Sequence, residues 1–269
     1  MAEEEKDMSF LEHLEELRRR LWRSLVVVGV AAVALFIAKD FLTRVVFGPY
    51  YPDFISYQLW CELSQSLGLG DKLCVEEINF KLQNLKMAGG LLAHMTTALV
   101  GGVVIGFPYI FYQIWQFIKP GLKQREISSV RGITFFVSLL FFLGGGFGYF
   151  VLAPLSVQFL GDYEFGAVNA PDMRSFIKLV TGLTLATGLM FQLPVLVYFL
   201  AKIGLVTPDI LKRFRKHALV VVLVVAAIIT PPDVTSQILV SIPVLLLYEL
   251  SIIIARRVQK KKDRGNLTS

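Results

Sequence analysis

Charge is scarce in this sequence. Asp, Glu, Lys and Arg make up 18% of its 269 residues, against about 25% in ordinary soluble domains. Apolar residues reach 55%, above the roughly 45–50% typical of a soluble chain, and mean hydropathy is +0.61. A soluble core could not hide that much apolar surface, so the excess must face lipid or other membrane-embedded helices. Cysteine and histidine are scarcer still, at two and three copies. His13, His94 and His217 lie on separate segments, none with a Cys or His at ligand spacing. No metal site and no cofactor are expected. The chain lacks G-x-x-x-x-G-K-[ST], H-E-x-x-H and G-x-S-x-G, which argues against P-loop nucleotide hydrolysis, zinc proteolysis and serine hydrolysis, so no enzyme is expected. The run Gly144-Gly145-Gly146-Phe147-Gly148 fails the dinucleotide fingerprint because Tyr149 stands at its sixth position. The four-residue spacing of Gly144 and Gly148, repeated at Gly102 and Gly106, instead fits close helix packing. No small-residue cleavage site follows the first apolar stretch and no Arg- and Ser-rich leader precedes it. No removable targeting peptide is expected, and a bacterial origin is the simpler reading.

What the sequence does have is six apolar segments, at about residues 21–38, 91–118, 133–153, 176–201, 218–230 and 238–255. The first four reach the roughly 18–20 residues that cross about 30 Å of hydrocarbon. The fifth stops at Pro231-Pro232 after about twelve apolar residues, which cover only about 18 Å as a helix. The sixth carries Pro243 and Glu249. The expected fold is an all-α polytopic membrane protein with six transmembrane helices, the last two short, in one integral membrane domain over 1–269. A re-entrant hairpin is the alternative for the last two. An N-terminal amphipathic helix is expected at about 8–20, an outward loop at about 39–90 and a basic tail at 256–269.

The net charge of +6 would suggest nucleic acid in a soluble protein, but no basic face with interleaved aromatics is present. The basic residues flank apolar stretches instead. Twenty of the 27 Lys and Arg residues lie in the N-terminal segment, the loops after segments two and four, and the tail; seven lie on the opposite side. The positive-inside rule then puts both termini in the cytoplasm. Cys61 and Cys74 share the outward loop, an oxidising location in many bacteria, and are candidates for a disulfide; two unpaired thiols are the alternative.

Four constellations remain. Phe10 to Leu21 places Phe10, Leu14, Leu17 and Leu21 on one helical stripe, with Glu15–Arg19 and Glu16–Arg20 as pairs four apart, the pattern of an amphipathic surface helix. Phe107-Pro108, Tyr112-Gln113-Ile114-Trp115, Pro120-Gly121-Leu122 and Glu126 read as an interfacial aromatic belt, a turn and a solvated acid. Thr230-Pro231-Pro232-Asp233-Val234-Thr235-Ser236-Gln237 reads as a hairpin tip with a capping residue. Pro243 with Tyr248-Glu249 puts an ionisable group inside an apolar segment, where a functional role is the default hypothesis.

Taken together, these residues resemble the TatC family, the core receptor of the twin-arginine protein translocase. The similarity runs in order from the H-L-x-E-L-R-x-R-L segment, His13 to Leu21, through Tyr112-Gln113-x-Trp115 with Pro120-Gly121-Leu122 and Glu126. It continues through Pro154 and Phe191-x-x-Pro194 to the Thr-Pro-Pro-Asp-x-x-Ser-Gln segment and Pro243 to Glu249. The resemblance implies a multi-pass protein of the bacterial inner membrane that binds twin-arginine signal peptides and exports folded proteins, driven by the proton-motive force. It implies TatA- and TatB-like single-span partners, homo- and hetero-oligomers, and a signal-peptide-binding site at Glu16 and Glu126 with Arg18 and His13. The family often carries a Glu before the proline of the fourth span, where this chain has Gln192, an amide that cannot titrate. Gln192, Asp233, Gln237 and Glu249 are the candidate intramembrane polar and partner-contact residues. The same four could form the polar path of a small-solute transporter, the leading rival reading. The topology is tested by reporter fusions at Ser269 and within loop 154–175, which should lie on opposite sides of the membrane; finding both on one side overturns the six-span map.

Overall fold

The computed structural model describes residues 10–68, 70, 74, 80–119, 132–162, 170–230 and 234–266. Helix α1, Phe10–Ile37, is one uninterrupted rod of 28 residues. The surface helix expected at 8–20 and the first span are therefore continuous. No proline divides them, and Glu16–Arg20 bridges the point where the apolar stretch begins. The expected outward loop holds α2, Lys39–Val46, a 3-10 turn at Gly48–Tyr50, and α3, Ile55–Ser66. Helix α4, Gly89–Ile118, runs through Pro108.

Prolines shape the next two spans. Helix α5, Ile133–Phe147, passes into a π turn, Gly148–Leu152, and then α6, Ala153–Asp162. Pro154 has no N–H to give the carbonyl four residues back, and its ring crowds that carbonyl. The Ala153 N–H reaches Gly148 O, five back, so one wide turn absorbs the defect. Helix α7, Met173–Met190, and α8, Leu193–Ile203, are divided at Phe191-Gln192 ahead of Pro194. There the Gln192 N–H tightens onto Leu189 O, three back, at 3.0 Å. After α9, Pro208–Arg213, capped by Thr207 Oγ1 accepting from the Ile210 N–H at 3.3 Å, come α10, Arg215–Ile229, and α11, Val234–Asn266.

Among the described residues, five stretches are long and apolar enough to cross a membrane: Glu12–Ile37, Gly89–Ile118, Ile133–Gly161, Met173–Ile203 and Ser236–Lys260. Helix α10, with 15 residues, covers only about 22 Å, in keeping with the short fifth segment. The last segment departs from expectation. Helix α11 is neither short nor broken at Pro243 but extends over 33 residues into the basic tail. Packing neighbours make a proline tolerable inside such a helix; Val240 and Val244, on either side of Pro243, are buried in the core of their unit.

The chain divides into two compact units, Met1–Leu42 with His94–Leu139, and Thr43–Ala93 with Leu140–Ser269. In the first, α1 and α4 meet at glycines. A Cβ at Gly102 would stand 2.8 Å from Val28 O and 2.9 Å from the Ala32 Cβ. Leu35, Leu42 and Ala98 form a small core beside this contact, and Phe36 stacks on His94 at 4.2 Å. In the second unit the glycine face of α5 and its π turn meets α7. A Cβ at Gly144 would lie 2.6 Å from Thr187 O; one at Gly148 would lie 2.7 Å from Leu183 O and overlap Thr187 Oγ1. Leu152, Val157, Phe176, Val180, Leu183, Ala226 and Val244 build the core around them. Tyr57 of α3 donates to Pro49 O at 2.8 Å and reaches Pro154 O at 3.4 Å. Burial pushes its phenol above the usual range, so it remains a donor. A disulfide joins Cys61 to Cys74.

Close backbone approach has a direct consequence. Gly102→Ala and Gly148→Ala should each cost about 1–3 kcal/mol through overpacking, read as a lower thermal unfolding midpoint in detergent. Gly146→Ala, where a Cβ meets nothing within 4 Å, should change little; equal effects at all three positions would remove the packing role.

Candidate functional site

The first turns of α1 carry a dense charge pattern on a helix that its own i,i+4 pairing supports. Glu16 Oε1 accepts from Arg20 Nε at 2.9 Å and from Arg20 Nη2. The two side chains are only 23% and 20% exposed. Glu16 Oε2 is buried and accepts no hydrogen bond among the described residues. One oxygen of this carboxylate is engaged and the other is not. Glu15 turns instead to Arg18, three residues on, at 3.9 Å with both side chains exposed, so the expected Glu15–Arg19 pair gives way to a looser one. Glu12, Glu15, Glu16, Arg19, Arg20 and Arg23 line a shallow concavity of about 430 Å³. Arg18 is not part of that lining.

His13 packs rather than lines. Its ring stacks on Phe117 with centroids 4.2 Å apart, tying the start of α1 to the last turn of α4 within the same unit. Glu126 lies outside the described residues; in chain order it follows α4 by eight residues. Leu14, Leu17 and Leu21 of the predicted stripe are all exposed, as residues laid on a bilayer surface would be.

The intramembrane polar candidates separate into two places. Gln192 sits at the α7–α8 break, where Nε2 donates to Gly188 O at 3.2 Å. Thr184 and Thr187, about two turns and one turn before it, donate to Val180 O at 2.8 Å and Leu183 O at 2.7 Å. Gln237 and Glu249 tie α11 to α10: Gln237 Nε2 donates to Leu223 O at 3.0 Å, and Arg215 Nη2 donates to Glu249 Oε2 at 2.6 Å. Tyr248, beside Glu249, donates to Leu211 O at 2.7 Å. Asp233 lies outside the described residues. Arg215 and Phe117 were not singled out from sequence. For Arg215 the clue was available: an acid within an apolar helix calls for a cation, and Arg215 opens the antiparallel helix before it. Among the described residues no group of three His, Cys, Asp or Glu is placed to hold a metal.

Residues 12–243 match the family model for TatC, described as the Sec-independent protein translocase protein. The chain belongs to the TatC family. It is 38% identical over 268 residues to the Sec-independent protein translocase protein TatC of Blattabacterium sp. subsp. Periplaneta americana, covering 97% of this chain and 100% of that one. It is 34% identical to TatCy of Bacillus subtilis, over 96% and 93% of the two chains. A crystal structure of the twin-arginine translocase receptor TatC superposes with a TM-score of 0.69 at 31% identity, covering 92% of this chain and all of that one. With its long apolar helices, family membership makes this a multi-pass protein of the bacterial inner membrane and a component of the Tat translocase. Its relatives are named as translocase components.

Proposed function

We propose that the chain is the receptor and core subunit of a twin-arginine translocase, binding twin-arginine signal peptides at the cytoplasmic surface and passing folded proteins across the membrane at the expense of the proton-motive force, without enzymatic chemistry of its own. Both termini lie in the cytoplasm in this reading, and α10 serves as the short fifth of six spans. The observation that carries it is Glu16: a mostly buried carboxylate with one oxygen held by Arg20 and the other unpaired among the described residues. An incoming guanidinium can bond the second oxygen, or displace Arg20 and take both, in the forked geometry that arginine offers and lysine does not. Glu126 is the second carboxylate of the site. His13 and Arg18 act beside it, His13 by holding α1 against α4. The transporter reading loses support from Gln237 and Glu249, which are engaged in joining α10 to α11.

TatA- and TatB-like single-span subunits are the proposed partners, with Gln192 and the threonines before it as their contact within the membrane, where polar groups draw helices together. Gln192→Leu should reduce co-purification of these subunits. Unchanged co-purification assigns the amide to the α7–α8 break alone.

Signal recognition is tested by affinity for a twin-arginine peptide against its twin-lysine control in nanodiscs. Glu16→Gln and Glu126→Gln should each weaken binding about tenfold, the scale of one charge-assisted hydrogen bond. Reversal to Lys should be worse, and added salt should weaken binding further. Gln variants that bind as tightly as the parent, or a parent indifferent to the Arg-to-Lys exchange, place recognition elsewhere.

A further inference from the structure

Helix α3 has three distinct faces. Ser56, Tyr57 and Ser64 are buried against the rest of their unit. Gln58, Glu62 and Gln65 are exposed and polar. The third face is apolar and open: Ile55, Leu59, Leu63 and, just past the helix end, Leu67 are 55%, 56%, 57% and 64% exposed. These four recur every fourth residue, which keeps them within one arc of a 3.6-residue helix. The arc spans about 120°; exposed Ser66 also falls on it, between Ile55 and Leu59, and Glu62 borders it beside Ile55. Such a stripe on a loop surrounded by water would be an unexplained cost.

Its level along the neighbouring span identifies what covers it. Phe54, which precedes α3, stacks on Phe150 at 5.8 Å, and the Tyr57 hydroxyl reaches Pro154 O. The span carrying Phe150 and Pro154 starts at Ile133, just after Arg131. About 20 residues at 1.5 Å each cross the roughly 30 Å of hydrocarbon, which reaches about residue 152. Phe150 and Pro154 bracket that point, so α3 is fastened at the far boundary of the acyl region. Phe150 is itself 45% exposed on the span, so α3 is fastened beside an open apolar ring of that span. A disulfide ties Cys74 back to Cys61 on this helix, and Ser64 Oγ donates to Gly70 O at 2.6 Å.

We propose that α3 is an interfacial helix whose Ile55–Leu59–Leu63–Leu67 arc is seated in the acyl–headgroup boundary of the leaflet opposite the Ile133 end of that span, docking the disulfide-tied helix on the bilayer. Amphipathic helices bury such an arc about 5–10 Å into that boundary. The polar arc then faces water, and the packing face holds the helix sideways against the span.

Single cysteines at Leu59, Leu63, Gln58 and Glu62 can each carry a nitroxide, because the two native cysteines are bridged. The probe is the full chain in phosphatidylethanolamine–phosphatidylglycerol nanodiscs, with collision rates to oxygen and to a water-soluble nickel chelate measured at each site. Labels at 59 and 63 should favour oxygen over the chelate roughly threefold or more relative to labels at 58 and 62, as expected for an apolar face in acyl chains. Equal ratios at all four sites would show the arc in water and overturn the proposal. Labels at 59 and 63 that are immobile and shielded from both reagents would also overturn it, in favour of a second protein chain covering the arc.

Discussion

Every other feature of this protein depends on keeping its backbone hydrogen-bonded inside lipid, where no water can replace a lost partner. Among the described residues only helices and brief turns occur within the spans. Each proline in a span is a local breach of that requirement, and each is handled differently. Pro154 is absorbed by a π turn. Pro194 is preceded by a tight turn in which the Gln192 side chain adds a bond to Gly188 O. Pro108 and Pro243 sit inside unbroken helices. Pro154 and Pro194 thus mark points where a span resets its hydrogen-bond register.

Once the backbone is satisfied, burial from water no longer drives helix against helix, and shape takes over. Gly102 and Gly148 let backbone approach within contact distance of the partner helix, and threonine hydroxyls close back onto their own helix rather than remain open. Glu249, midway along α11, is level with the first residue of the short α10, so its carboxylate meets Arg215 instead of hydrocarbon. The shortness of α10 and the position of Glu249 are one fact seen from two helices. At the other end of the chain, Glu16 sits where α1 passes from its charged turns into its apolar run, deep enough to be mostly buried and still beside an open concavity.

Composition, segment lengths and the distribution of Lys and Arg determined that this is a helical membrane protein, because hydropathy over about 20 residues is set by the bilayer and not by neighbours. Motif order determined the family, and glycine spacing located the close helix contacts. The sequence did not reveal that α1 is a single rod, that α11 passes through Pro243 into the tail, or that Glu15 pairs with Arg18. Local charge and proline patterns allow either outcome in each case, and packing selects one. Only the tertiary structure gave Glu249 its partner 34 residues away, set His13 on Phe117, left Glu16 Oε2 without a hydrogen bond among the described residues and set α3 beside Phe150 and Pro154. These are contacts between segments far apart in sequence, and their register is fixed by how whole helices pack, a quantity no local window contains.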